Sequence, residues 1–581
     1  MADPKELSRR TLLTGAAGVS AGLVAGCTTG GGEAPGPGPS SGGAGTGAKV
    51  ELGPETEGVL YPEPYVGPKA TQLKPFASSG TTFRIVVPQD TTVVGDWNDN
   101  TYTSWLEERT GVKVQFDAVL VTNPDGSADL SKINAMIASG DLPDAFMAVG
   151  LTRDQIALYG QQGLFQPLDQ HIETSAPHMR QLLTDLPDVR QTNLAQDGKI
   201  YNFGGVNDCF HCRCAGARAF VNQKYLDKVG AKIPENTEEF RQLLLAFKSE
   251  NPSGKEGFLP FMGGDVTYDP VDQFMMGPFT YNPGPTSGAV YLRLNQGKVE
   301  FAANSEGWRN GLRFMRQLFD DGTLTQQTFT IKGEELTKLG NNGQIGVCRA
   351  FNWAAWVNMD PGEDALWRDY VPVPPLAGPD GTRIGTWTYG NAPFTNAMAI
   401  TSACKDPASL VRWADAQMEL ESTLRAYAGP QDAGWRWAKK GEQGSSGKQA
   451  VWAGIPRDKI PVGDGWNQYA IMYRSADFRA GEKVDPSVPN LDKIAELYQE
   501  YAQPEDQFLP RLLYTPDVTA QRGDIEANLT TAVSIHLAKF ATGQLDVNDD
   551  AAWNGYLSQL EQMGLPSYLQ LTQEAYDTRP Q

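Results

Sequence analysis

The chain has 581 residues, 40% of them hydrophobic and 20% charged, with 69 acidic side chains against 49 basic ones and a formal net charge of −20. These are ordinary globular values, and the acidity argues against nucleic acid, since phosphate contacts need clustered Lys and Arg and no basic stripe occurs. Polyanionic ligands are disfavoured only weakly, because a local patch can oppose the global sign.

The first element is a targeting segment. Arg9-Arg10 precede an uncharged, Gly- and Ser-diluted run from Thr11 to Gly26. That run falls short of the roughly 20 apolar residues a spanning helix needs, and the twin arginine matches a Tat export signal. The run ends in Val24-Ala25-Gly26-Cys27, which resembles a bacterial lipobox, so residues 1–27 are expected to be a signal and Cys27 the lipidated residue. Residues 28–80 are rich in Gly, Pro and Ser and are expected to form a tether and a surface arm.

The folded body then begins near Thr81 and is long enough for two or three domains. "TFRIVV" alternates Phe83, Ile85 and Val87 as a strand does. "TYTSWLEERTG" reads as a helix closed by Gly111, "VKVQF" as a strand, and "LSKINAMIASGD" as a helix with Leu130, Ile133, Met136 and Ile137 on one face. "DAFMAV" follows as a strand, and this β-α-β-α-β order implies a parallel or mixed sheet flanked by helices. Ligands of such sheets bind beyond the carboxyl ends of the strands, so the segments after Val87 and Val149 are the first places to look. Further on, Asn236 caps a helix with Phe240, Leu243, Leu244 and Phe247 inward, and a second amphipathic helix carries Trp308, Leu312, Met315 and Phe319.

Aromatic side chains in polar loops suit a carbohydrate ligand, because sugar rings pack C–H faces on aromatic planes while their hydroxyls need polar partners. Of 13 tryptophans, Trp97 lies in "GDWNDN" beside Asn98, Trp353 and Trp356 in "RAFNWAAWVN", Trp387 with Tyr389 in "GTWTYGN", and Trp466 in "GDGWNQY". Tyr268, Asp269 and Asp272 occur in "GGDVTYDPVDQ". For any one tryptophan, core packing is the ordinary fate, and Trp105, Trp308 and Trp413 sit in helix patterns and are assigned there. Enzyme signatures are missing: there is no Gly-x-Ser-x-Gly elbow, His-Glu-x-x-His helix or phosphate loop. With only four histidines, histidine-based catalysis has few options, although a pair of carboxylates acting on a glycoside stays open. No catalytic residue, cofactor or metal is assigned.

"DWNDNTYTSWLEERTGVKVQF", "LSKINAMIASGDLPDAFM", "YLDKVGAKIPENTEEFRQLLLAFK", "YLRLNQGKVEFAANSEGWRNGLRFMRQLFDDG", "FTNAMAITSACKDPASLVRWADAQM" and "AYAGPQDAGWRWAKKGEQGSSGKQAVW" occur in this order over roughly residues 81–470. They resemble extracellular solute-binding proteins of family 1, the lipoprotein-type ABC-importer subset associated with oligosaccharide uptake. The resemblance implies an α/β fold of the two-lobed class II periplasmic-binding type, each lobe a mixed sheet flanked by helices, with a ligand cleft at a hinge. It implies residues 81–205 plus 395–455 as the N-terminal lobe, 206–394 as the C-terminal lobe, and 456–581 as a helical region packed mainly on the latter. The expected partners are an oligosaccharide and the ABC permease subunits, with the membrane touched only through the lipid anchor of an exported monomer. A peptide or other small solute on the same scaffold is the alternative. Relatives carry a calcium loop after the helix matched by residues 237–248; this chain has "SENPSGKEGFLPF", with Gly257 and Phe258 where an acidic pair would be, so no calcium is expected there. "DVNDD" at 546–550 reads as a solvated turn.

"NDCFHCRCAG" at 207–216 falls where the family crosses between lobes. In an exported protein cysteines oxidise rather than hold metal, and Cys209, His211, Cys212 and Cys214 are too close together for relaxed tetrahedral ligation. A Cys209–Cys212 disulfide is expected, with a buried reduced set and a metal site as the alternatives. Excluding Cys27 leaves five cysteines, hence an odd one, and Cys348 with Cys404 is a further conceivable pair. Asn207, Asp208 and His211 are candidates to face the cleft.

Overall fold

The computed structural model describes residues 49–77, 80–121, 129–264, 266, 270–285, 290–360, 362–390, 394–455, 461–484 and 490–579. The signal segment, Cys27 and Tyr268 lie outside the described residues. Residues 48–581 form one compact unit, built around two mixed sheets.

The first lobe holds six strands in the order Tyr473–Arg474, Phe203–Asn207, Thr395–Ile400, Ala145–Met147, Thr82–Pro88, Lys113–Val119. Thr82–Pro88 runs parallel to both its neighbours, as the β-α-β order requires. Thr395–Ile400, returning from the other lobe, is antiparallel to the strands on either side. Helix Thr101–Thr110 begins on an Asn100 side-chain cap and ends at Gly111 in the left-handed conformation, φ 73°, where an ordinary side chain would be strained.

The second lobe has four strands in the order Tyr370–Val373, Ala219–Asn222, Ile345–Arg349, Leu259–Met262. Its main core joins Phe240, Leu243, Leu244 and Phe247 of helix Thr237–Glu250 to Trp308, Leu312 and Met315 of helix Glu306–Asp320. The Asn236 side chain accepts from the Glu239 amide, the cap the sequence anticipates. The C-terminal helices Pro516–Ala541, Asp550–Gln562 and Leu565–Asp577 bury Leu529, Trp553 and Tyr568 in the same core.

Two boundaries differ from the sequence expectation. Residues 461–484 do not join the second lobe: Trp466, Ile471 and Tyr473 enter the first-lobe core, and Tyr473–Arg474 pairs with Phe203–Asn207. A two-residue edge strand has no periodicity to read, so nothing local marks it. The first lobe therefore runs past 455, and only residues from about Asn490 onward, beginning with helix Leu491–Gln499, pack on the second lobe.

Residues 49–77 lie along the first lobe. The Thr71 amide donates to Glu419 Oε1 at 2.8 Å, Arg109 donates to the Thr71 carbonyl, and the Arg412 guanidinium stacks on Phe76. In the loop after helix Thr237–Glu250, carbonyl oxygens are engaged internally: Asn251 Nδ2 donates to Lys255 O, and the Lys228 ammonium donates to Pro252 O at 2.6 Å. Among the described residues no helix is long and apolar enough to cross a membrane.

Candidate functional site

The site grows from the end of one central strand. After Ala145–Met147 the chain turns through Ala148 and Gly150, with φ of 57° and 83°. The left-handed region costs a non-glycine residue about 1–2 kcal/mol, and such strain collects where a fold is held open for function. The turn feeds helix Arg153–Gln161 through a capping box in which Thr152 and Gln155 exchange side-chain-to-backbone hydrogen bonds. Alongside, Ala397 and Ala399 come from the antiparallel return strand, and the Ala148 amide donates to Ala397 O. Three alanines where larger side chains would fit leave a cavity of about 310 Å³.

Its walls come from the first lobe and the lobe crossing at Phe394, with one residue, Arg511, from beyond them. The first lobe and that crossing give the apolar Phe146, Val149 and Phe394 and the polar Asn193, Asn202 and Arg153; Arg511 comes from the segment leading into the C-terminal helices. Asn193 is fixed by donating to Val189 O and accepting from the Phe394 amide and from Asn202 Nδ2. Arg153 donates to Thr192 O at 2.7 Å and reaches across to Leu512 O at 3.0 Å, with Asp154 3.3 Å from its guanidinium. The pKa of Arg511 is lowered, first by its surroundings displacing water and then by the Arg153 cation. A second cavity of about 310 Å³ lies between the 49–77 arm and the first lobe, beside His178 and Asp415.

The sequence-predicted residues are not gathered here. Trp97 and Trp466 are buried in the first-lobe core, ring centroids 5.1 Å apart. Their indole N–H groups donate to Pro88 O and Thr103 Oγ1. Asn98 spends its amide on both backbone groups of Phe116. Trp353 and Trp356 pack on Phe220 inside the second lobe, Trp353 donating to Tyr370 O. Trp387 is buried against Phe210, its backbone gripped by the Gln503 amide. Asp272 is buried, accepts from Asn282 Nδ2, and has its pKa raised by burial. The reason is common to the set: each polar loop folds back on its own lobe, where the rings find apolar neighbours and most of the indole N–H groups find an oxygen. Tyr389 remains half-buried, its hydroxyl donating to Gln503 O.

Asp208 and His211 belong to the crossing between lobes. Asp208 lies 3.5 Å from Arg213, and its amide donates to Arg474 O. Arg479 donates to Asn207 Oδ1 and lies 2.8 Å from His211 Nε2. Burial, then the Arg479 and Arg218 cations, push the His211 pKa down to about 3, so the neutral ring accepts that contact. Cys209 and Cys212 form a disulfide, which removes both sulfurs as metal ligands. Cys214, Cys348 and Cys404 remain thiols. Cys348 lies on a second-lobe strand and Cys404 in the first-lobe core, so that conceivable pair does not form.

The cavity residues themselves escaped sequence reading, although the strand-end rule pointed at the segment after Val149. Alanine, asparagine and arginine carry no composition signal, and Arg511 is distant in the chain from every other wall residue.

No family model matches the chain. It is 27% identical over 507 residues, 83% of this chain and 87% of the relative, to the fructooligosaccharide ABC transporter substrate-binding protein FusA of Streptococcus pneumoniae. The structure of FusA in complex with kestose superimposes with a TM-score of 0.66 at 22% identity, covering 86% of this chain and 99% of that one. An ABC-transporter-associated solute-binding protein from Bifidobacterium longum infantis, described as HMO binding, gives a TM-score of 0.70 at 17% identity, covering 86% and 99%. The sequence similarity runs along most of both chains, and the two-lobed α/β architecture is shared with these solute-binding proteins.

Proposed function

We propose that the chain captures an oligosaccharide between its lobes and delivers it, chemically unchanged, to the permease of an ABC importer. One observation carries the reading: a cavity at the strand ends of the first lobe, closed on one side by Arg511 from the segment packed on the second, offers apolar faces at Phe146, Val149 and Phe394 beside amide and guanidinium groups at Asn193, Asn202, Arg153 and Arg511. That mixture suits a sugar, whose ring faces are apolar and whose hydroxyls both donate and accept. A solute bridging the walls favours the closed arrangement over the open one by its differential affinity, which is all that hinge closure requires. The name of the relative FusA, a fructooligosaccharide ABC transporter substrate-binding protein, points the same way. The Tat-type segment and the lipobox-like Val24-Ala25-Gly26-Cys27 support export and lipid anchoring through Cys27.

Calorimetric titration of the purified chain with a panel of oligosaccharides and peptides tests this. Saturable glycan binding with the glycan recovered intact is expected. Binding of peptides but no glycan would overturn the sugar assignment, and release of shortened glycan would overturn the transport assignment.

A further inference from the structure

The cavity lining differs in charge from the chain as a whole. The chain carries a net charge of −20, yet the described residues lining the cavity include two arginines and no carboxylate. The two guanidiniums are used differently. Arg153 is committed to Thr192 O, Leu512 O and Asp154. Arg511 makes no side-chain hydrogen bond or ion pair with any described residue; it is exposed at the cavity wall, partly shielded from water, with the Asp154 carboxylate acting on it only at longer range. Asn202 donates to Asn193 through Nδ2, leaving its Oδ1 without a protein hydrogen bond among the described residues.

Resting on the oligosaccharide reading above, we infer that the solute is an acidic glycan whose carboxylate is taken by Arg511. A neutral sugar gains little from a second cation beside Arg153, whereas the planar fork of an arginine matches a carboxylate with two parallel N–H···O bonds. Placement adds a reason. Arg511 is contributed by a segment anchored through Leu509 and Leu512 in the second-lobe core, while the asparagines and apolar faces belong to the first. A sugar ring seated on the first lobe with its carboxylate on Arg511 ties the lobes together, so the charged contact exists only when both lobes are engaged. The carboxylate also adds to what Asp154 does in offsetting the Arg153 cation, which after burial is the second cause lowering the Arg511 pKa.

The test compares uronic-acid oligosaccharides of mixed linkage with the same preparations after chemical reduction of each carboxylate to an alcohol. Titrating the full chain and its Arg511→Gln and Arg511→Lys variants by calorimetry, the wild type is expected to prefer the acidic series by about tenfold or more. Arg511→Gln collapses that preference to near unity, and Arg511→Lys, keeping charge but losing the fork, leaves an intermediate preference. Unchanged melting temperatures show that the variants fold, as an open side chain without protein hydrogen bonds leads one to expect. Equal affinity of the wild type for both series, or a preference that survives Arg511→Gln, overturns the inference while leaving oligosaccharide capture standing. Binding of neither series overturns the inference, and binding of peptides in their place overturns the oligosaccharide reading as well.

Discussion

The aromatic nest of the second lobe and the strand-end cleft of the first make an instructive pair. The nest gathers Phe220, Trp353, Trp356, Trp367, Tyr370 and Trp387 into a closed core, with the Trp353 indole and the Tyr370 hydroxyl donating to carbonyls. The cleft sets three alanines, two asparagines and two arginines beside apolar walls such as Phe146, Val149 and Phe394. Rings that look like sugar platforms in the sequence are consumed by folding, because a large apolar surface is the first thing a lobe buries. Space for a ligand arises instead where side chains are small.

Substitutions in the two regions should separate cleanly. Trp353→Ala, which hollows the nest, is expected to lower stability by about 3–5 kcal/mol and to leave glycan affinity within a factor of about two, since the ring lies outside the cleft. Denaturant titration and calorimetry on the same preparation check both halves; a large affinity loss without a stability loss would reverse the assignment of the nest to the core. Ala397→Phe, which fills the cleft, is expected to do the opposite. Ligand affinity should fall by about 10–100-fold, with stability moving by no more than about 1 kcal/mol, because the added ring occupies open space rather than packed core.

The crossing between the regions sets the smallest effect, one of pH. His211, held near 3 against an ordinary 6.5, contributes stability that is present above pH 6.5 and lost as pH falls toward 3. Glu482, raised to about 7 mainly by burial and opposed by Arg479, contributes stability that is present below pH 4.5 and lost as pH rises through 7. Between pH 4.5 and 6.5 the two slopes oppose each other, so the wild-type profile should be shallow there and fall below 4.5. His211→Gln, which keeps an acceptor for Arg479, should flatten the acid limb, and Glu482→Gln the neutral one. Melting temperatures across pH 3–8 report the outcome, and an acid limb unchanged in His211→Gln would remove His211 from this account.

What the sequence revealed follows from how local each signal is. The Asn236 cap and the spacing of Phe240, Leu243, Leu244 and Phe247 lie within one helix and its first turn, so they could be read directly. The same holds for Gly111 closing its helix. Strand Tyr473–Arg474 owes its existence to pairing with Phe203–Asn207, a partner far away in the chain, and left no local trace. Tryptophans misled for a related reason: whether an indole N–H meets a carbonyl or a sugar depends on where the loop folds back. Trp97 meets Pro88 O. The strand-end rule concerns topology, and of its two segments the one after Val149 borders the cavity proposed as the site, while Arg511 lay beyond its reach.

The arm of residues 49–77 has a mechanical consequence. Its hydrogen bonds to Glu419, Arg109, Arg180 and Gln181 all fall on the first lobe, so a pull applied through the preceding chain is borne by that lobe alone. With a lipid at Cys27 as proposed, the first lobe becomes the moored half and the second, carrying Arg511, the swinging half. Load on the leash would then leave the angle between the halves untouched, and capture would proceed at the same affinity whether the leash is slack or taut.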